Sequence, residues 1–523
     1  MLHFNLELIK MKNKLFLLLL AGMALTTSCN KFLEEEPRSN LSSEQYYANE
    51  GQAMATVNSL YRRGAPQRYS VAASAYVGPT ASINTMLTGY FINTYEGQER
   101  ICLFARQLTR QQNTSVVSST MNTIWDESYK AINIANAGVK YIPEINMDET
   151  RKKTLLAETK FFRAYNYFYL VKTFGAIPLS INPNETLADD LYLERTEPAK
   201  VYELIEADLK DAVAGLPAVM FAQNGHRISK YAAAMTLANV YLQQGKFADA
   251  AVTAKIVINS GHKMTANTDL KLNSAYNKLR TTDDLEEVIY AQEYDATINN
   301  SGWWTTYAFS SSATSVFDKY SIFERIYGPT NQFLNVYEEK DLRIQPNQFF
   351  HWSYTNPVNG KKWTSDVPGI WYYFDEQAAT VTGRGTKDWN FYRFPEALLI
   401  AAEGIAKAAG YLAQVKARAN TEGKSVASFT TELQALSAED FVKECWIERL
   451  REFPLEFKMW DDILRTKMFP IISTTEAGKV TFVPLVGAKN GSGATFKESD
   501  LLWPISPDEI QRNNKLTQNP GYQ

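Results

Sequence analysis

The stretch Ser229–Ser260 (SKYAAAMTLANVYLQQGKFADAAVTAKIVINS) restricts the fold more tightly than any other part of the chain. Leu237, Ala238 and Tyr241 fall on one face of a helix, and Gly245 supplies a turn. Phe247, Ala250, Ala251 and Ala254 open a returning helix. Small residues opposite bulky ones let two antiparallel helices pack closely.

The spacing Ala238–Tyr241–Gly245–Phe247–Ala250 follows the tetratricopeptide pattern, a helix pair of about 34 residues. Arg393–Leu412 repeats the theme more weakly, with a second helix near Val415. Further helices are predicted over 41–64 and over 121–140, where Ile124, Trp125, Tyr129, Ile132 and Ala135 keep helical spacing. Glu149–Thr173 reads as a long aromatic-rich helix stopped by Gly175 and Pro178. Another runs about Pro198–Leu216, with Pro198 in its first turn and Pro217 beyond its end. Repeats of this kind stack into a superhelix. The predicted class is mainly α: a tetratricopeptide-like helical-repeat superhelix with a large irregular, loop-rich subdomain carrying short strands.

The irregular part centres on 300–395, which holds six of the ten tryptophans: Trp303, Trp304, Trp352, Trp363, Trp371 and Trp389. Gly328-Pro329, Asn356-Pro357, Asn359-Gly360 and Pro368-Gly369 punctuate it, and such dipeptides mark turns. Residues 41–523 therefore read as one domain. Its repeats lie at about 41–64, 121–260, 393–420 and 437–466. Its loop-rich parts, with short elements, lie at about 65–120, 261–392 and 470–505.

The formal net charge is −3, and removal of Lys10, Lys12 and Lys14 with an N-terminal leader makes the remainder more acidic. Nothing in that balance favours nucleic acid. Cys102 and Cys445 make no disulfide framework. His226, His262 and His351 are widely separated, with no HExxH pair, so no metal site is expected. The sequence holds no GxSxG elbow and no Walker loop, and no catalytic residue or cofactor is assigned. No EF-hand-type loop is present.

At the N-terminus, the three lysines precede an apolar run of eleven residues, Leu15–Leu25. That length suits a secretory signal of roughly 7–15 apolar residues and falls short of the roughly 20 needed to span a bilayer. Thr26, Thr27 and Ser28 then lead into Cys29. Small residues abutting a cysteine resemble the lipobox of bacterial lipoproteins, in which the cysteine is acylated and becomes residue one. Residues 1–28 are read as the signal, Cys29 as the lipidation site, and 29–40 as a charged tether.

Five segments resemble the SusD/RagB family, the starch-utilisation-type outer-membrane lipoproteins of Bacteroidetes. They are Trp125-xxx-Tyr129-xx-Ile132-xxx-Asn136; Glu158–Phe168 with Arg163, continuing to Gly175 and Pro178; Tyr337-xxx-Asp341-Leu-Arg343; Glu448-Arg449 through Glu452 and Glu456 to Trp460-x-Asp462 and Arg465; and Trp503–Ile510 with Gln518–Tyr522. The matches keep family order along the chain. The fourth departs from the usual Glu-Gly-x-Arg-Trp, reading Glu456-Phe-Lys-Met-Trp460, and Pro454 predicts a kink there. In the tail, Asn513-Asn514 replaces the usual Asn-Pro. Arg163, Asp341, Arg343, Glu448, Arg449 and Glu452 are charges set among apolar neighbours. Buried charges need partners, so these six are expected to form an internal ion-pair network where the repeats meet the irregular part.

The resemblance implies a non-enzymatic protein lipid-anchored in the outer membrane and facing the cell exterior. It would capture oligosaccharide and hand it to a SusC-like TonB-dependent transporter. The same architecture can instead take peptide, or serve as a protein-binding scaffold. A flat aromatic ring buries the C–H face of a pyranose, while amides and charged groups bond its hydroxyls. The aromatic candidates for ligand contact are Trp303, Trp304, Trp352, Trp363 and Trp371, with Tyr76 and Tyr90 from the early loop-rich region. Trp125, Trp446 and Trp460 lie on helical stripes and Trp503 in the tail motif, and these four are assigned to the core.

Overall fold

The computed structural model describes residues 46–63, 80–185, 191–295, 303–383, 385–405 and 408–522. Cys29, Tyr76 and the leader lie outside them. The chain divides after Ala48, and the architecture described is that of Asn49–Gln523.

Among the described residues, nine helices carry the repeats: α1 (Glu50–Arg63), α2 (Thr114–Tyr141), α3 (Glu149–Phe174), α4 (Pro198–Gly215), α5 (Lys230–Gln243), α6 (Phe247–Ile258), α7 (Phe394–Gly404), α8 (Ala409–Ala419) and α9 (Ala438–Glu452). From α1 to α8 each packs on the next, and α9 lies against both α7 and α8. The helices form for local reasons. Asp148 caps α3 by accepting from the Arg151 amide at 2.8 Å, and Gly175 ends it at φ 73°. Ser229 caps α5, and Gly245 turns the chain into α6 at φ +71°. Both faces of α3 are buried over Phe161–Val171, which makes it a central helix.

The array is continuous in space although residues 259–393 interrupt it in sequence. Helix α7 packs directly on α6, because Gly404 lets the backbones meet. A Cβ there would fall 2.4 Å from the Phe247 carbonyl oxygen and 2.8 Å from Ala251 Cβ. The insert leaves and rejoins the array through two antiparallel strands, β1 (Val288–Gln292) and β4 (Trp389–Arg393), paired from Val288↔Arg393 to Gln292↔Trp389. Inside it, β2 (Phe350–Thr355) and β3 (Lys362–Ile370) form a hairpin across the Asn356–Lys361 turn.

The insert has a core of its own. Phe309 touches Phe317, Phe323, His351, Tyr354, Trp363 and Phe374 at centroid distances of 4.6–5.6 Å. Trp371 belongs to the same cluster, which is distinct from the large core of the repeats.

Two expectations about elements need correction. Helix α2 starts at Thr114 rather than near 121. The loops and short elements read over 65–120 include short helices at Thr80–Met86 and Arg100–Arg106. Pro454 accompanies a break rather than a kink: α9 ends at Glu452, a 3₁₀ turn covers Pro454–Glu456, and Phe457 turns left-handed at φ 58° before α10 (Met459–Thr466).

Candidate functional site

Charge is concentrated where the insert meets the repeats. Asp341 caps the 3₁₀ turn Leu342–Ile344 and grips the Arg343 guanidinium at 2.9 and 2.7 Å. The other edge of Arg343 donates to Glu448 Oε1 at 2.7 Å and Glu452 Oε2 at 3.0 Å. Glu452 Oε1 accepts from Arg393 at 2.8 Å and also from Arg418. Glu287 accepts from the same two arginines at 2.6–2.8 Å, and Glu456 accepts from Arg393 Nε at 2.7 Å. The insert supplies Glu287, Asp341 and Arg343, α8 supplies Arg418, and α9 supplies Glu448 and Glu452. Arg393 and Glu287 are 0 % exposed.

The electrostatics follow from that packing. Burial pushes the Glu452 carboxyl up, but Arg418, Arg393 and Arg343 together hold it down to about 2. Glu456 is the opposite case. Burial outweighs Arg393 and Lys458 there, and its carboxyl is raised to about 7. The guanidiniums occupy the acceptor sites of Glu287 and Glu452 in a water-excluded cluster, an arrangement that fixes elements rather than one that reaches a ligand.

Of the six predicted charges, Asp341, Arg343, Glu448 and Glu452 meet in this cluster. Arg449 belongs to an adjoining one, donating to both oxygens of Asp462 at 2.8–2.9 Å. There Arg465 bridges Asp462 to Glu403. Arg163 lies apart. It pairs bidentately with Asp208 at 2.7 and 2.9 Å and with Asn136 at 3.1 Å, tying α2, α3 and α4 together. Sequence reasoning missed Glu287, Arg418 and Asp208 as partners: each lies among other charged residues, such as Asp284 and Glu286, Lys416, or Glu206 and Lys210, and no motif singles it out.

The aromatic candidates divide sharply. Trp304 is 5 % exposed and stacks on Trp389 at 5.5 Å, with Tyr373 at 4.9 Å. Trp363 lies against Phe309 and donates to Ser312 at 3.1 Å. Trp371 donates to Asn277 at 2.8 Å and sits under the Arg280 guanidinium. Tyr90 donates to the Pro470 carbonyl at 2.6 Å and stacks on Phe469. These four rings are core, and the structure leaves them no face for a ligand. Trp352, on β2, is half-buried and keeps part of its surface in solvent. Trp303 opens the 3₁₀ turn Trp303–Tyr307, and Tyr76 lies outside the described residues. Trp125, Trp460 and Trp503 are buried, while Trp446 is half-buried and donates to Glu403 at 2.8 Å.

Among the described residues, His226, Asp284 and Glu293 offer ligand atoms within 4.8 Å of one another. Asp284 lies 2.9 Å from Nε2 and Glu293 3.1 Å from Nδ1. Carboxylates at opposite ring nitrogens suit an imidazole bridged between two acids better than donors converging on one ion. Cys102 and Cys445 are separate, buried thiols.

A nearly continuous helical-repeat scaffold that carries an irregular insert with its own aromatic core defines a class of architecture. A model described as "Starch-binding associating with outer membrane" matches residues 31–242, and the SusD family model matches residues 286–522. The chain belongs to the SusD/RagB family. It is 26% identical to SusD-like protein P2 of Formosa agariphila over 518 residues, 94% of this chain and 96% of the relative. A SusD superfamily protein of Parabacteroides distasonis shares the fold with a TM-score of 0.76 at 24% identity, over 92% of this chain and 100% of that one. A laminarin-binding SusD-like protein matches with a TM-score of 0.65 at 21% identity, over 91% of this chain and 100% of that one. No helix among the described residues is long and apolar enough to cross a membrane.

Proposed function

We propose that this chain is a cell-surface lipoprotein that captures oligosaccharide and delivers it to a TonB-dependent transporter of the outer membrane. Membership of a family described as starch-binding and outer-membrane-associated carries the reading. The laminarin-binding relative adds that this fold can hold a glucan. Acylation of Cys29 would hold the protein at the membrane, and the Asn30–Asn40 tether would lift it clear. The ligand leaves chemically unchanged, because the protein binds and releases it.

The proposed contacts are Trp352, Trp303 and Tyr76. Trp352 offers a partly exposed ring on a turn-rich hairpin that also carries amides and charged groups. Native gels containing laminarin, starch, xylan or mucin glycans test this. Retardation of the full chain by one glycan class is expected, and the Trp303→Ala/Trp352→Ala variant should lose it while still unfolding cooperatively. Retardation retained in that variant would move the site. Absence of retardation by every glycan, with binding to a peptide mixture instead, would replace the cargo.

A further inference from the structure

A cleft of about 480 Å³ opens on the repeat side of the molecule, between α2, residues 178–184, residues 191–193 and residues 509–516. Its volume is that of a small-molecule pocket, which falls at roughly 300–1,000 Å³. Its wall and rim differ in chemistry. Trp125, Tyr129 and Tyr192 contribute rings, and Leu191 adds aliphatic surface. Tyr192 and Leu191 are 51% and 42% exposed, so both present apolar surface to the solvent-filled cleft. The rim carries Asp126 and Glu509 against Lys130 and Arg512, together with the amides of Asn133 and Asn184.

That composition selects among ligands. Two acids against two bases leave no net field to draw a phosphate or a polycation. A purely apolar guest would strip water from the amides and charged groups of the rim without replacing the hydrogen bonds that water makes. A neutral polyhydroxylated ring meets both demands, with C–H faces against tyrosine and leucine and hydroxyls toward Asn, Asp and Arg. We propose that this cleft is a second saccharide site, taking one or two neutral pyranose units on the repeat side, separate from the insert. The inference rests on the glycan-binding reading above. Burial, opposed by the Arg512 guanidinium and aided by Asp126, raises the Glu509 carboxyl above its ordinary value.

The test titrates the full chain in detergent with laminarihexaose, maltohexaose, xylohexaose and mannohexaose. It follows heat and hydrogen exchange of the segments 178–185, 191–193 and 507–516. The expected result is binding of at least one probe with protection of those segments. Tyr192→Ala and Arg512→Ala should each weaken that protection at least tenfold in probe concentration. They should leave untouched any binding that Trp352→Ala removes. Binding of a probe with no protection of these segments, or with protection unchanged in Tyr192→Ala, overturns the second site and leaves the first reading standing. Failure of all four probes to bind anywhere overturns both. Should Tyr192→Ala fail to fold, protection in the unaltered chain decides alone.

Discussion

Glu452 and Glu456 lie four residues apart, share Arg393, and titrate in opposite directions. Glu452 is held at about 2 in the folded protein, below its ordinary 4.5. Its contribution to stability is therefore complete above about pH 4.5 and disappears as the pH falls through 2. Replacing it with Gln strands guanidinium charge in the interior and should cost about 3–5 kcal/mol in urea unfolding at pH 7. Glu456 is held at about 7, so between its unfolded value of 4.5 and 7 the folded state binds the extra proton. Its contribution is full below about pH 4.5 and is lost as the pH rises through 7. Glu456→Gln should remove that decline, and the gap between variant and parent should widen from pH 5 to 7.5 by on the order of 3 kcal/mol. A pH-independent gap would place the raised titration elsewhere. Trp304 and Trp352 give a second contrast. Trp304→Ala empties a fully packed site and should cost roughly 3–5 kcal/mol, whereas Trp352→Ala should cost clearly less, as thermal unfolding of the pair would show.

At the scale of elements, helices whose ends carry chemical signals were legible. Pro198, Ser229, Gly245 and Gly175 mark boundaries through capping, a fixed φ or a left-handed turn. Helix α2 was misplaced by seven residues because its first turns are Thr114, Ser115, Ser118 and Ser119, weak helix formers, and Asn113 makes no capping hydrogen bond. The tryptophans of the insert misled for a different reason. Turns and short strands have no long period to say which side faces inward, so Trp352 and Trp363 look alike in sequence. A segment of this length outside the helical array needs its own apolar centre, and Trp363 and Trp371 supply it. The motif charges revealed that a buried network exists, but partners such as Glu287 and Arg418 come together only through the β1–β4 neck and the end of α8. The contact at Gly404 between α6 and α7 is tight. Gly404→Ala would press a methyl group onto the Phe247 carbonyl and should destabilise the protein by roughly 1–3 kcal/mol, read from the urea midpoint. An unchanged midpoint would show that α6 and α7 can separate freely.

For the whole molecule, a ladder of helices is joined to an irregular body by buried, mutually paired arginines and acids. Such a joint favours a ligand surface held in one shape, and a fixed surface loses less entropy on binding. The central claim is that this surface receives sugar and returns it unaltered. Isothermal titration of the full chain with laminarihexaose and maltohexaose, followed by chromatography of the recovered saccharide, tests it most directly. The account predicts saturable heat from at least one of them and complete recovery of the six-unit chain. Shortened products, or no heat from either alongside saturable heat from a peptide mixture, would contradict it.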